Sequence, residues 1–382
     1  MSIIPGDVQL AFLSRKLRQF GPPQSIRVGI ERPSGLLVDF LVEEGFLVCP
    51  IHPNQLKATR PRYHASPAKC DAEDAFIAAD LLRTNGHRFP TLRAPSDRTK
   101  ALRAAVRTRD DLVRTRVQIC NQLRALLERF WPGPLKLFSD LDSAISLSFL
   151  AAYPTPRSAA LLGERRMERF LRKHSYAGRR SPAQLLERLR SAAPGRTGEM
   201  EQATCGELVH SLVAVLRTLH GQIRGIEKTI TDQLAAHEDG TLLQSFPWIG
   251  TVNAAQIFAE LGDDRQRFRS EEHLAAEAGV APVTKESGKK RAVSFRYACN
   301  KRLRKALTTW ADNSRHGSAW AADVYRRARA RGCTHPHAVR ILARAWVRVL
   351  WRCWTNRTPY DPSRHGGASA LAHSEAASLQ VA

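Results

Sequence analysis

The sequence predicts a chain that is α/β at its N-terminal end and all-α beyond it. Three observations lead there. Two short apolar runs bracket a helical pattern between residues 26 and 51, two very long patterns of three-and-four spacing occupy 97–130 and 208–234, and the last third carries helix-spaced apolar residues with few strand signals.

Taken in order, "IRVGIE" (26–31) reads as a buried strand ending in a carboxylate, "SGLLVDFLVEEG" as a helix closed by Gly45, and "FLVCPI" (46–51) as a second strand. A crossover of that length makes a parallel strand–helix–strand unit. A polar loop rich in Pro, Arg and His follows, and "KCDAEDAFIAADLL" opens a helix whose first turn holds Asp71, Glu73 and Asp74, where the helix dipole favours negative charge. Leu102, Val106, Val113, Val117, Cys120, Leu127 and Phe130 then mark one long helix, stopped by "WPGP". Leu208, Leu212, Val215, Leu219, Ile223, Ile226, Ile230 and Leu234 mark a second, and the two together suggest an antiparallel, coiled-coil-like arm. Residues 151–204 between them are rich in Arg, Pro and Gly and poor in large apolar residues, which predicts small helices with a surface or interface role. "FPWIGTVNAAQIFAELGD" is a glycine turn followed by a helix, "EEHLAAEAG" another, and "KRLRKALTTWADNSR" and "HPHAVRILARAWVRVLWRCW" complete a helical block. The expected organisation is 1–95, α/β; 96–240, long helices and a basic linker region; 241–362, a C-terminal helical domain; and 363–382, a disordered tail.

Lys and Arg outnumber Asp and Glu by 59 to 36, a formal net charge of +23. Such a surface gains affinity by releasing counterions from a polyanion, so the expected partner is nucleic acid. No apolar run approaches the roughly 20 residues that span a bilayer, and no signal peptide opens the chain, which excludes a membrane role and implies a cytoplasmic protein. Seven scattered cysteines form neither a disulfide pattern nor a zinc motif.

Two constellations could carry chemistry. Glu31 ends a strand, where open α/β sheets place their ligand sites, and Asp71 and Asp74 share one helix face, so the three carboxylates could converge on Mg²⁺. They could equally end a strand and start a helix in water. Ser287 stands before Gly288 and a run of eight Lys/Arg with no acidic residue between 289 and 305. A serine nucleophile needs such activation at a phosphate, though Ser-Gly also serves as a plain turn. Arg340, Arg344, Arg348 and Arg352 recur at every fourth residue of the last helix, opposite an apolar stripe of Val339, Leu342, Trp346, Val349 and Cys353. No Asp or Glu falls between 324 and 360, so these arginines are expected to be open to phosphate.

Taken together, "VGIERPSGLLVDFLVEEGFLVCPIHP…KCDAEDAFIAADLL" and "FPWIGTVNAAQIFAELGDDRQRFRSEEHLAAEAGVAP…ESGKKRAVSFRYACNKRLRKAL" resemble a transposase of the IS110 family, from about residue 12 to the "YDP" near 362. The resemblance implies an N-terminal RuvC/RNase H-like domain with an Asp-Glu-Asp-Asp set, in which Glu31 matches the Glu and Asp71 and Asp74 the last two Asp. It implies a C-terminal transposase domain with a helix-hairpin-helix-like element and Ser287 as nucleophile, forming a covalent phosphoserine link to DNA with Mg²⁺ assisting. Lys289, Lys290, Arg291, Arg296, Lys301, Arg302 and Arg304, with Arg340, Arg344 and Arg348, would contact nucleic acid. A structured guide RNA from the element and a dimer or tetramer around two DNA duplexes are implied as partners. The family's first Asp should precede residue 12 on a strand. Asp7 falls at a helix start and does not match it, so the domain is expected to be truncated. Cys299 stands where many relatives carry glycine. Two alternatives stay open: an inactive nucleic-acid-binding remnant, and a RuvC-like junction nuclease that needs the full acidic set and not Ser287.

Overall fold

A computed structural model of the chain describes residues 7–63, 70–192, 195, 197–288, 290–367 and 369. They divide into two compact units. One is drawn from residues up to Lys100, Ser245–Ile249 and from Ile257 onward, the other from Ala101–Gln244 and Gly250–Gln256.

In the first unit, α1 (Asp7–Arg18) leads to β1 (Arg27–Ile30), α2 (Leu36–Glu43) and β2 (Leu47–Pro50). β1 and β2 pair in parallel, Val28 opposite Val48 and Ile30 opposite Pro50. This is the crossover unit expected from 26–51. Alternation along the strands sends Val28, Ile30 and Val48 into one apolar cluster with Leu13, Val38 and Leu41, and Cys49 into a second with Ile77 and Leu82. The polar loop expected after β2 contains α3 (Pro53–Thr59), whose first turn is closed by a capping box. His52 Nδ1 accepts from Asn54 N at 3.1 Å, and Gln55 Oε1 accepts from His52 N at 3.0 Å. Histidine is not among the usual N-cap residues, so no cap was legible there. α4 (Asp71–Asn85) then packs on β1.

The second unit is built on α5 (Asp97–Phe130) and α11 (Glu199–Ala235), with α6 (Gly133–Leu137), α7 (Ala144–Ala152), α8 (Pro156–Ala159), α9 (Glu164–Lys173) and α10 (Pro182–Arg190) between them and α12 (Gly240–Gln244) after. The two long helices run antiparallel, as the ion pairs Arg109–Glu227 at 2.6 Å and Arg129–Glu201 at 3.0 Å require. α11 starts at Glu199 rather than at 208, with Glu199 and Glu201 in its first turn. The small helices predicted for 151–204 are present, and they also contribute to a core. Met167, Leu171, Leu185, Leu186 and Leu189 all turn inward against Leu123, Leu127, Val209 and Leu216. Few large apolar residues are enough when each of them faces the same core.

The rest of the first unit comprises the end of α13 (Thr251–Leu261), α14 (Glu271–Glu277), β3 (Val283–Ser287), β4 (Lys290–Ser294), α15 (Lys301–Ser314), α16 (Ala319–Ala330) and α17 (His335–Asn356). α17 starts at "HPH" as expected, and Val339, Leu342, Trp346 and Cys353 are buried. Trp310 Nε1 donates to the Pro247 carbonyl at 3.0 Å and Trp346 Nε1 to Ser314 Oγ at 2.8 Å, which satisfies the polar ends of both buried indoles. The "YDP" stretch closes this core, since Tyr360 stacks on Phe246 at 5.1 Å and its N–H donates to Ser245 Oγ. His365 packs against Trp320 at 4.4 Å, so the expected disorder does not begin at 363; residues 370–382 lie outside the described residues. The antiparallel hairpin β3–β4 was not expected in an all-helical block. Past Val283 both its faces are exposed, so it lacks the apolar alternation that announces a strand. None of the described helices is long and apolar enough to cross a membrane.

Candidate active site

Ser287 is the last residue of β3 and stands at the exposed tip of the hairpin. Gly288 follows with φ of +57°, the left-handed conformation that a glycine allows without strain. Directly opposed residues share a face, and faces alternate along each strand. The register pairs Ser287 with Lys290 and Lys285 with Ala292, so Ser287, Lys285 and Lys290 lie on one face. Glu286 and Arg291 are opposed on the other, joined by an ion pair at 3.0 Å. Arg291 therefore does not stand with Ser287, while Lys285, which sequence reasoning passed over, does. Only the strand register could have found it. Lys289 lies outside the described residues.

The root of the hairpin is held by arginines expected to meet phosphate. Arg296 donates to the carbonyl of Ala281 at 3.2 Å, straddling the entry to β3. Arg304 Nη2 donates to the Tyr297 carbonyl at 3.1 Å, and its guanidinium also bonds to Cys299 Sγ. The guanidinium carbons of Arg304 and Arg340 lie 4.7 and 4.8 Å from the Phe295 ring centroid, within cation–π range. Gly279, at φ of +66°, passes so close that an added Cβ would fall 2.7 Å from Cys299 Sγ. Asn300 caps α15 by accepting from the N–H groups of Arg302 and Leu303, both at 3.1 Å, and donates to the buried Glu260 at 2.8 Å. Lys301 is exposed at the first turn of α15, with Arg302 half-buried beside it.

On α17 the expectation of unengaged arginines fails for Arg344. It grips both oxygens of Glu272, on α14, at 3.1 and 2.9 Å, and Arg348 approaches the same carboxylate at 3.6 Å. The Arg344 guanidinium holds the Glu272 carboxyl below its ordinary range. The stretch 324–360 lacks acids, but its partner comes from a segment far away in sequence.

The acidic set is also differently engaged. Glu31 follows β1 and is exposed, and Asp71 is exposed at the start of α4. Asp74 gives both oxygens to Arg60, at 2.8 and 2.7 Å. The Asp74 carboxylate, with smaller contributions from Glu31 and Glu73, pushes the Arg60 guanidinium further up in pKa. Arg60 is thus the cation of this cluster. Among the described residues no group of three His, Cys, Asp or Glu is placed to hold a metal ion, so Glu31, Asp71 and Asp74 as they stand do not fit the expected Mg²⁺ site. The competing arginine sits in the stretch read as a loop, which is why spacing alone did not disclose it.

Two family models match the chain: one described as a transposase, of the DEDD group of IS110, over residues 7–132, and one described as transposase of the IS116/IS110/IS902 family over residues 240–326. The chain is 33% identical over 346 residues to the mini-circle putative transposase for IS117 of Streptomyces coelicolor, covering 89% of this chain and 83% of that one. It is 30% identical to the 43.6 kDa protein of insertion element IS110 from the same organism, covering 80% of this chain and 75% of the relative. It is 28% identical to the 42 kDa protein of insertion element IS900 of Mycobacterium paratuberculosis, with 77% and 73% covered. These matches show that the chain belongs to the IS110 family of insertion-sequence transposases, enzymes that cut DNA and transfer its strands.

Proposed function

We propose that this transposase cuts and rejoins DNA through Ser287. The Ser287 hydroxyl oxygen attacks a phosphodiester phosphorus. A P–O bond to serine forms, a bond from phosphorus to one DNA oxygen breaks, and the serine proton ends on the departing DNA hydroxyl. One phosphodiester is exchanged for another, so the phosphoserine link retains what the reverse step needs to join a second strand. Lys285 and Lys290 lie against the charge that develops on the phosphate oxygens. The observation that best supports this reading is the hairpin register, which puts the serine and two lysines on one exposed face.

In the same reading the N-terminal α/β part is a RuvC-like domain, a structured RNA from the element selects donor and target, and two or four chains act together on two duplexes in the cytoplasm. The net charge of +23 exceeds what one hairpin needs for one strand and suits two nucleic acids. The test is trapping of covalent protein–DNA adducts on denaturing gels. The wild-type chain should form them, and Ser287→Ala should abolish them while still binding DNA. Adducts that persist in Ser287→Ala remove Ser287 from the role. A second reading, a nucleic-acid-binding remnant, draws on the Arg60 grip on Asp74. It predicts salt-sensitive binding with no adduct from either chain.

A further inference from the structure

We propose that Tyr297 is a stacking platform for an unpaired DNA base beside the strand cleaved at Ser287. The inference rests on the reading that the hairpin meets DNA. Tyr297 is 78% exposed, yet it is not loosely held. Arg304 Nη2 fixes its carbonyl at 3.1 Å, and its ring meets Phe295 edge-on, with centroids 4.9 Å apart and planes at 86°. Phe295 is in turn clasped by the Arg304 and Arg340 guanidinium groups. A large aromatic ring that is pre-positioned, solvent-facing and backed by two cations is what a base with a phosphate on either side can use: the ring stacks and the cations attract the backbone. A protein partner would meet strong positive charge at this surface, whereas DNA complements it.

The position fits the serine as well. Four residue steps separate the Ser287–Lys290 pair at the tip from the Val283–Ser294 pair at the root, roughly 14 Å of strand. Phe295 continues directly from the root and Tyr297 follows two residues later, which places the ring at the opposite end of the hairpin from Ser287, where it can serve the same DNA strand.

The experiment uses the full chain and oligothymidylate carrying a single 2-aminopurine, whose fluorescence is quenched when it stacks. The wild-type chain and Tyr297→Phe should quench it. Tyr297→Ala and Tyr297→Leu should lose the quench and bind about tenfold to a hundredfold more weakly, with unchanged circular dichroism. Quenching and affinity retained in both Tyr297→Ala and Tyr297→Leu overturn the inference, as does an absence of quenching by the wild-type chain. Stronger quenching on oligouridylate than on oligothymidylate overturns its assignment to DNA. Ser287 adducts that still form in any of these cases leave the proposed function standing.

Discussion

If the hairpin presents one cationic face to DNA, charge removal should matter on that face and not on the other. Lys285 and Lys290 flank Ser287, and Arg291 lies opposite, tied to Glu286 at 3.0 Å. Each phosphate neutralised on duplex DNA contributes about 0.9 to the slope of log K against log salt. Lys285→Ala and Lys290→Ala should each lower the slope by about 0.9, and the double variant by about 1.8. At about 0.15 M salt the same relation gives roughly a fivefold loss of affinity per lysine. Arg291→Ala should leave the slope unchanged. All variants are made in Ser287→Ala, so that covalent capture does not distort the equilibrium, and binding of a labelled duplex is followed by fluorescence anisotropy across a salt series. An Arg291→Ala slope that falls as far as that of Lys290→Ala refutes the face assignment, and unchanged slopes for both lysine variants refute the contact itself.

Two further outcomes concern the frame behind the site. Asp263 Oδ2 accepts from Ser96 N–H at 2.9 Å and from the buried Thr99 hydroxyl at 3.0 Å, fastening the start of α5 to the segment after α13. Asp263→Ala should cost about 2 kcal/mol by urea denaturation, within the range for hydrogen bonds to a charged group. Burial pushes the Asp263 carboxyl up, but the bonds from Ser96 and Thr99 outweigh it and hold the carboxyl below its usual 3.8. A lowered carboxylate stabilises fully above the unfolded value and loses that contribution as pH falls through the folded one. The stability gap between wild type and Asp263→Asn should therefore shrink below about pH 4; a gap constant from neutral pH to pH 3 contradicts this. Gly279→Ala should destabilise by about 1–3 kcal/mol, from its left-handed backbone and the contact with Cys299. Adding Cys299→Gly should recover part of that loss, and a thermal melt showing no recovery excludes the contact as a cause.

Much of the frame was legible in the chain itself. The strand–helix–strand unit, α5 and α17 could be read because each repeats an apolar spacing that needs only its own residues to be recognised. The acidic and serine candidates were legible as residue types. Ser287 was marked by the basic run that follows it, while the exposed hairpin that carries it lacks the apolar alternation that announces strands.

Composition and local spacing determined that this protein is basic, largely helical and α/β at its start, because those properties are sums over near neighbours. Tertiary structure alone decided which charges are available. Strand register gave Lys285 to Ser287 and turned Arg291 away; folding brought Glu272 to Arg344 across 72 residues and Arg60 to Asp74 across 14. A charge is neutralised by whichever opposite charge packs within a few ångströms, and that distance is set by the fold rather than by position along the chain.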